Sequence, residues 1–186
     1  MSPNGLLRVL DTATLTEVTT ITLDAPSVRL AFNRPGERLY VVNEGTVNVI
    51  EPQGNLVVAS IPIFAFCCAR NMVFSLDGTK AYVGRASVFV LDLTTNSVLT
   101  TVFSGTFVRA LALSPDGQRV FATTEFPSAQ VAVIDTATDQ VIATLAVGGV
   151  STVAGTGLLP INVTFSPDGA RAWVVNTLDD TISVIE

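Results

Sequence analysis

The same phrase occurs four times along this chain of 186 residues. Each copy consists of an apolar residue, a short turn sequence that ends in glycine, a spacer, a basic residue and an apolar run. The copies are AFNRPGERLYVVN (31–43), VFSLDGTKAYVGR (73–85), LSPDGQRVFATT (113–124) and FSPDGARAWVVN (165–176). A phrase that recurs at a regular spacing is the signature of a repeat architecture, in which neighbouring units bury one another.

Two sets of residues give the same period of about forty residues. The turn glycines are 42, 39 and 52 residues apart, and they are Gly36, Gly78, Gly117 and Gly169. The β-rich runs end in acids that are 40, 41, 43 and 51 residues apart, namely Asp11, Glu51, Asp92, Asp135 and Glu186. Only the last interval is stretched in both sets. We therefore predict a loop insertion at residues 148–160, GGVSTVAGTGLLP.

Each period contains four short runs that read as β-strands. The runs are rich in β-branched residues and are divided by clusters of Gly, Pro and Asp. In the third repeat they are FVRALALS, QRVFATT, AQVAVID and QVIATLAV. In the turn Ser-Pro-Asp-Gly, proline presets φ and glycine permits a positive φ. The chain is therefore predicted to be all-β, a β-propeller of four-stranded antiparallel blades whose strands, apolar on both faces, lie between neighbouring sheets.

The repeats resemble one family of propellers in particular. WD40 repeats are disfavoured, because the chain has no histidine for their Gly-His element. The segments SPDGARAWVVN…DDTISVIE (166–186), SPDGQRVFATT…AQVAVIDTATDQVIATLAVG (114–148) and ERLYVVNEGTVNVIE (37–51) resemble the YVTN family of β-propeller repeats. That resemblance covers nearly the whole chain and implies the fold more than an activity. Because the family includes surface-layer proteins and parts of periplasmic enzymes, it suggests a secreted or periplasmic protein.

Residues 1–186 are predicted to form one domain whose ends share a blade. The chain begins with a third and a fourth strand, continues through three complete blades, and ends with a first, a second and a third strand. The two ends together would form one composite blade, in which each end of the chain contributes a third strand. About four blade equivalents can close as a four-bladed ring, combine with a second chain into eight blades, or belong to a longer array. Because unpaired strand edges favour pairing, we expect a homo-oligomer or a fragment of a larger propeller.

Charge and residue usage exclude several classes of function. The net charge of −6 gives a field that repels nucleic acid and anionic membranes. No apolar stretch reaches the roughly 20 residues of a membrane span, and the first residues lack a signal-peptide pattern. The absence of histidine excludes a Ser-His-Asp triad and a histidine-ligated zinc or haem. No cofactor is predicted.

Five polar residues near the starts of the first strands form the candidate binding site. In a propeller this strand lines the central channel, and its first residues lie at the channel mouth. Arg70 and Arg109 each lie eight residues before their turn glycine. Arg29, Asn71 and Asn162 each lie seven residues before theirs. Guanidinium groups there suit carboxylate or phosphate ligands, through paired hydrogen bonds. The alternative is that these side chains bind acids or loop carbonyls and hold adjacent blades together.

Two other features are candidate sites, a set of polar loop residues and a pair of cysteines. The loops between second and third strands carry oxygen ligands of the kind that Ca²⁺ takes, although without the Asp-x-Asp-x-Asp-Gly spacing, and no metal is predicted. Their polar residues are Asn43, Glu44, Arg85, Glu125, Asn176, Asp179 and Asp180. Cys67 and Cys68 adjoin two phenylalanines, which favours buried thiols over a vicinal disulfide or a soft-metal site.

These features together predict a non-catalytic scaffold that presents its channel mouth to a protein, a glycan or a small anionic ligand. The alternative is a metal-dependent lactonase or sugar-acid hydrolase of propeller type. In that case Glu44 and Glu125 are the first carboxylates to consider. The scaffold is preferred because the repeat pattern is strong and no catalytic constellation accompanies it.

Overall fold

The computed structural model describes residues 5–33, 36–63, 71–103, 107–124, 129–148 and 159–186. Within these ranges the chain forms seventeen β-strands and no α-helix. The strands are β1 Gly5–Leu10, β2 Glu17–Leu23, β3 Ser27–Phe32, β4 Leu39–Asn43, β5 Thr46–Glu51, β6 Leu56–Pro62, β7 Asn71–Phe74, β8 Lys80–Gly84, β9 Val88–Asp92, β10 Ser97–Val102, β11 Val108–Leu113, β12 Arg119–Thr124, β13 Gln130–Asp135, β14 Gln140–Ala146, β15 Pro160–Phe165, β16 Ala172–Asn176 and β17 Thr181–Ile185. The all-β class is confirmed.

The strands form five antiparallel sheets in which neighbours in sequence are neighbours in space. Sheet I contains β1–β2, sheet II β3–β6, sheet III β7–β10, sheet IV β11–β14 and sheet V β15–β17. Three complete four-stranded sheets between two partial ones match the strand count predicted from the repeats. In sheet IV all four strands begin and end within one residue of the predicted runs.

The turns between first and second strands explain the repeated Ser-x-Asp-Gly. Ser75 Oγ donates to Asp77 Oδ1 at 2.5 Å and accepts from the amide of Lys80 at 2.9 Å. Gly78 has a φ of +71°, which suits a residue without a Cβ. The Ser114 and Ser166 turns have the same serine-to-amide bond, at 2.9 and 3.0 Å. The positive φ expected of the turn glycines is confirmed at all four.

The turns between third and fourth strands explain the acid at the end of each β-rich run. Asp92 Oδ1 accepts from the amides of Thr94 and Thr95 at 2.8 and 3.2 Å, so the carboxylate caps the turn. Asp11, Glu51 and Asp135 accept from turn amides in the same way. Because the strands are antiparallel, both kinds of turn lie at one end of the sheets, the turn end. The opposite end, the rim end, holds the starts of the first strands and the loops between second and third strands.

Four apolar cores separate the five sheets, one core at each junction. On β8, Ala81 and Val83 pack with Tyr40 and Val42 of sheet II. The residue between them, Tyr82, packs on the other face with residues of sheet IV. Both faces of a middle sheet are therefore buried, which explains why the inner runs are apolar throughout instead of alternating.

The first and last sheets have fewer strands than the complete sheets between them. Among the described residues β17 pairs only with β16, and β1 pairs only with β2. The composite blade and the number of blades in a closed ring therefore stay predictions. The described residues contain no helix of the length and apolar character that a membrane crossing requires. Most of the predicted insertion, residues 149–158, lies outside the described ranges.

Candidate functional site

Four of the five predicted site residues lie at the rim end. Arg29 is on β3, Asn71 begins β7, Arg109 is on β11 and Asn162 is on β15, whereas Arg70 lies outside the described residues. Strand pairing places Arg29, Asn71 and Asn162 at equivalent positions, opposite Val42, Gly84 and Val175 respectively. Arg109 is set apart by a bulge between Val108 and Ala110, and Ala110 takes the equivalent position opposite Thr123.

The two asparagines of this set are bound to the backbone. Asn71 Oδ1 and Asn162 Oδ1 each accept from the amide of the next residue at 2.9 Å. Asn71 Nδ2 also donates to the carbonyl of Leu111 at 3.1 Å, which links sheet III to sheet IV. This bond is of the kind expected if the polar residues hold adjacent blades together. Asn162 and Arg29 are exposed to solvent.

A second set of polar side chains lies beneath the rim, one in each of sheets II to V. Each member is the seventh residue after its turn glycine, where the second strand ends, and each is at most 3% exposed. We call this set the buried polar tier, and its members are Asn43, Arg85, Thr124 and Asn176. Asn43, Arg85 and Asn176 are among the loop residues named from the sequence, where only the two asparagines carry oxygens of the kind that calcium takes. Counting from the turn glycines would have placed all four in one tier.

Asn43 belongs to a hydrogen-bonded chain that reaches the surface. Its Nδ2 donates to Asn48 Oδ1, and Asn48 Nδ2 donates to Ser60 Oγ at 2.6 Å and to Asp24 Oδ2 at 2.8 Å. The bonds from Asn48 and then Ser60 hold the pKa of the exposed Asp24 carboxyl below its usual range. The Oδ1 of Asn43, in contrast, is buried without a hydrogen-bond partner.

Asn176 repeats this arrangement in sheet V. Its Nδ2 donates to Thr181 Oγ1 at 3.1 Å and to Ser183 Oγ at 3.0 Å. Ser183 Oγ also accepts from the amide of Gly148 at 2.9 Å, which ties the first residue of the insertion to β17. The Oδ1 of Asn176 is likewise buried without a partner. In both hairpins the amide nitrogen is used inside the sheet and the amide oxygen is not.

Arg85 carries the only charge in the buried polar tier. It is 3% exposed, and its buried Nε and Nη1 have no hydrogen-bond partner among the residues that the structure describes. Its backbone is held on both sides, since the amide donates to the carbonyl of Ser87 at 2.8 Å and the carbonyl accepts from the amide of Val108 at 2.7 Å. The second of these bonds joins the end of β8 to the start of β11. Arg85 therefore lies at the junction of sheets III and IV, beside the strand that carries Arg109.

The two ends of the molecule differ in how fully their polar groups are used. Among the described residues of the turn end, two buried atoms lack a hydrogen-bond partner, Arg38 Nη1 and Asn96 Oδ1, and both belong to residues that are only half-buried. At the rim end Asn43, Arg85 and Asn176 are almost completely buried and still leave such atoms. A buried polar group without a partner is costly, and each one requires a specific explanation.

The alternative sites find little support in the described part of the chain. No group of three Cys, Asp or Glu side chains among those residues is close enough to hold a metal ion. Of the loop residues considered for calcium, Glu44 and Asp180 are exposed and Asp179 is half-buried. Glu125, Cys67 and Cys68 lie outside the described residues.

No family model matches the sequence. The curated proteins likewise contain no match. Among solved structures, the hydrazine synthase of Kuenenia stuttgartiensis, a β-propeller-containing protein, matches with a TM-score of 0.75 and 21% sequence identity. The match covers 91% of this chain and 49% of that one, so this chain spans about half the length of its structural neighbour. At this identity the similarity concerns the fold, which is β-propeller-like.

Proposed function

We propose that this protein is a non-catalytic binding scaffold built from YVTN-like propeller repeats, with its binding surface at the rim end. The repeated phrases that resemble the YVTN family support the scaffold, as does the succession of four-stranded sheets. Its ligand is a protein, a glycan or a small anionic molecule. A propeller can present many kinds of loop, so the choice of surface depends on the side chains and not on the fold.

The buried polar tier is the observation that carries this proposal. At the rim end, the described residues supply no hydrogen-bond partner for buried polar atoms of Asn43, Arg85 and Asn176. A fold optimised only for stability would gain by replacing such groups with apolar ones of similar shape. Functional surfaces, in contrast, commonly retain polar groups that a ligand or a bound water satisfies. The rim end is therefore the face that we assign to binding.

The proposal is tested by removing Arg70 and Arg109, two of the three arginines that the sequence assigns to the candidate site. We expect anionic ligands, acidic peptides or acidic glycans to raise the melting temperature of the unaltered protein, because a ligand that binds only the folded state stabilises it. The double variant Arg70→Ala, Arg109→Ala should lose that rise while keeping a β-type circular dichroism spectrum.

Arg119→Ala is the matched control, because Arg119 is an exposed arginine at the turn end. It should respond to ligand as the unaltered protein does. An undiminished response in the double variant would overturn the assignment of the rim end. Turnover of a lactone panel after addition of Ca²⁺, Zn²⁺ or Mn²⁺ would overturn the non-catalytic assignment.

A further inference from the structure

We propose that Arg85 is the central residue of an oxyanion-binding site at the junction of sheets III and IV, which takes a carboxylate or phosphate group between Arg85 and Arg109. This inference rests on the proposed function and names the chemistry that one part of the rim end recognises. Among the described residues, no atom accepts a hydrogen bond from Nε or Nη1 of the buried Arg85 guanidinium.

A buried guanidinium needs a counter-charge. Arginine stays protonated in proteins, so it cannot escape the cost of burial by losing its proton. An unpaired charge in the interior is strongly unfavourable, whereas a paired and fully hydrogen-bonded one is tolerated. No carboxylate among the described residues lies within ion-pair distance of Arg85. An oxyanion from outside the described chain would supply both the charge and the hydrogen-bond acceptors.

The equivalent positions show that the fold does not require a charge here. Asn43, Thr124 and Asn176 take the same place in sheets II, IV and V with neutral side chains, and all are buried to a similar extent. An amide or a hydroxyl side chain is therefore sufficient for a purely structural role at this position. The cation is specific to sheet III, which indicates that it serves recognition at that junction.

The backbone places a second arginine on a segment that is hydrogen-bonded to the segment of Arg85. The amide of Val108 donates to the carbonyl of Arg85 at 2.7 Å, and the next residue along β11 is Arg109. Gly84 permits this approach, because a Cβ on it would lie 2.7 Å from Val108 Cγ1. Two positively charged residues therefore lie on hydrogen-bonded segments, although the chain as a whole has a net charge of −6. Guanidinium groups bind carboxylates and phosphates through charge-assisted hydrogen bonds.

The site is tested with Arg85→Met, which keeps the unbranched apolar stem of the side chain and removes its charge. Melting temperatures are measured in Tris-chloride and then with inorganic phosphate or glucuronate, at ionic strength matched with NaCl; glucose is the neutral probe. We expect a rise of about 5 °C for the unaltered protein at saturating oxyanion. Arg85→Met should bind the oxyanion at least about tenfold more weakly. The two probes distinguish a phosphate site from a carboxylate site.

The stability of Arg85→Met without oxyanion provides the second measurement. Because the substitution removes a buried charge for which the described residues supply no counter-charge, its melting temperature in Tris-chloride should equal or exceed that of the unaltered protein. Arg119→Met, which removes an exposed cation at the turn end, should keep the full response to oxyanion. A marked loss of stability in both Arg85→Met and Glu125→Gln would identify an internal ion pair instead and overturn the proposal.

The remaining outcomes separate this proposal from the broader one. If Arg85→Met keeps the response and the Arg70→Ala, Arg109→Ala variant loses it, the oxyanion binds at the rim end but not at Arg85. If neither phosphate nor glucuronate stabilises the unaltered protein while a peptide or neutral glycan does, the oxyanion site is wrong and the binding scaffold stands. If nothing from these classes binds, both proposals are wrong.

Discussion

A buried contact between Tyr82, Lys80 and Asp139 illustrates how single residues join the repeats. Tyr82 is fully buried on β8, and its hydroxyl donates to Asp139 Oδ1 at 2.7 Å. Lys80 Nζ donates to Asp139 Oδ2 at 2.6 Å and to the carbonyl of Thr136 at 3.2 Å. Burial and then the bond to Asp139 raise the pKa of the Tyr82 hydroxyl well above its usual range, so it stays a donor. The basic residue of the repeated phrase thus contacts the turn of the next sheet.

Replacing Asp139 tests how much this contact contributes to stability. Asp139→Asn leaves the half-buried Lys80 ammonium without a counter-charge, and we expect a loss of about 2 to 3 kcal/mol in the free energy of unfolding. The measurement is urea denaturation at pH 7. Arg171→Met is the control, because the ion pair of Arg171 with Glu186 is exposed on both sides and should contribute less than about 1 kcal/mol. Equal losses in the two variants would contradict the role of Asp139 at this junction.

The turn is the structural element that the repeats preserve most closely. Aspartates at the turn end accept hydrogen bonds from the amides and hydroxyls of their own turns, and these bonds lower the pKa of each carboxyl. The residues are Asp11, Asp77, Asp92, Asp116, Asp135 and Asp168. A capping carboxylate needs only local partners, so it can be recognised from sequence spacing alone. That explains why the acids and glycines served well as markers of the period.

The turns should make the protein sensitive to acid. The bonds from Thr94, side chain first, lower the pKa of Asp92 to about 2, below the roughly 3.9 of an unfolded aspartate. Stability from this group is therefore complete above about pH 4 and is lost as the pH falls towards about 2. Asp92→Asn should flatten the dependence of unfolding free energy on pH in that window, as measured by urea denaturation. Thr94→Val should flatten it less, since the backbone bonds remain. An unchanged curve for Asp92→Asn would contradict the capping role.

At the scale of the whole molecule, the sequence predicted the fold better than the site. Strands, turns and period follow from local pattern, and each was found where the pattern indicated. The surroundings of a side chain depend instead on distant segments, as when the amide of Asn71 meets the carbonyl of Leu111 forty residues away. The buried polar tier was missed for the same reason: a polar residue after an apolar run looks like the start of a loop until a neighbouring sheet covers it. The offset of Arg109, in contrast, is visible in the spacing, since it precedes its turn glycine by eight residues and not by seven.

The unpaired edges of the first and last sheets predict self-association. Ile182 and Val184 on β17 are 62% and 51% exposed, and Leu6 on β1 is 64% exposed. A sheet that has fewer than four strands can add a strand from another chain at its unpaired edge, and exposed apolar residues favour this. Light scattering should give a mass of two or more chains, each of 19.5 kDa. Ile182→Lys with Val184→Lys should shift the protein towards the monomer, because charges on an edge oppose pairing. Leu99→Lys, on the outer strand of the complete sheet III, should leave the mass unchanged. A monomer at every concentration, or an equal effect of Leu99→Lys, would show that these edges do not associate.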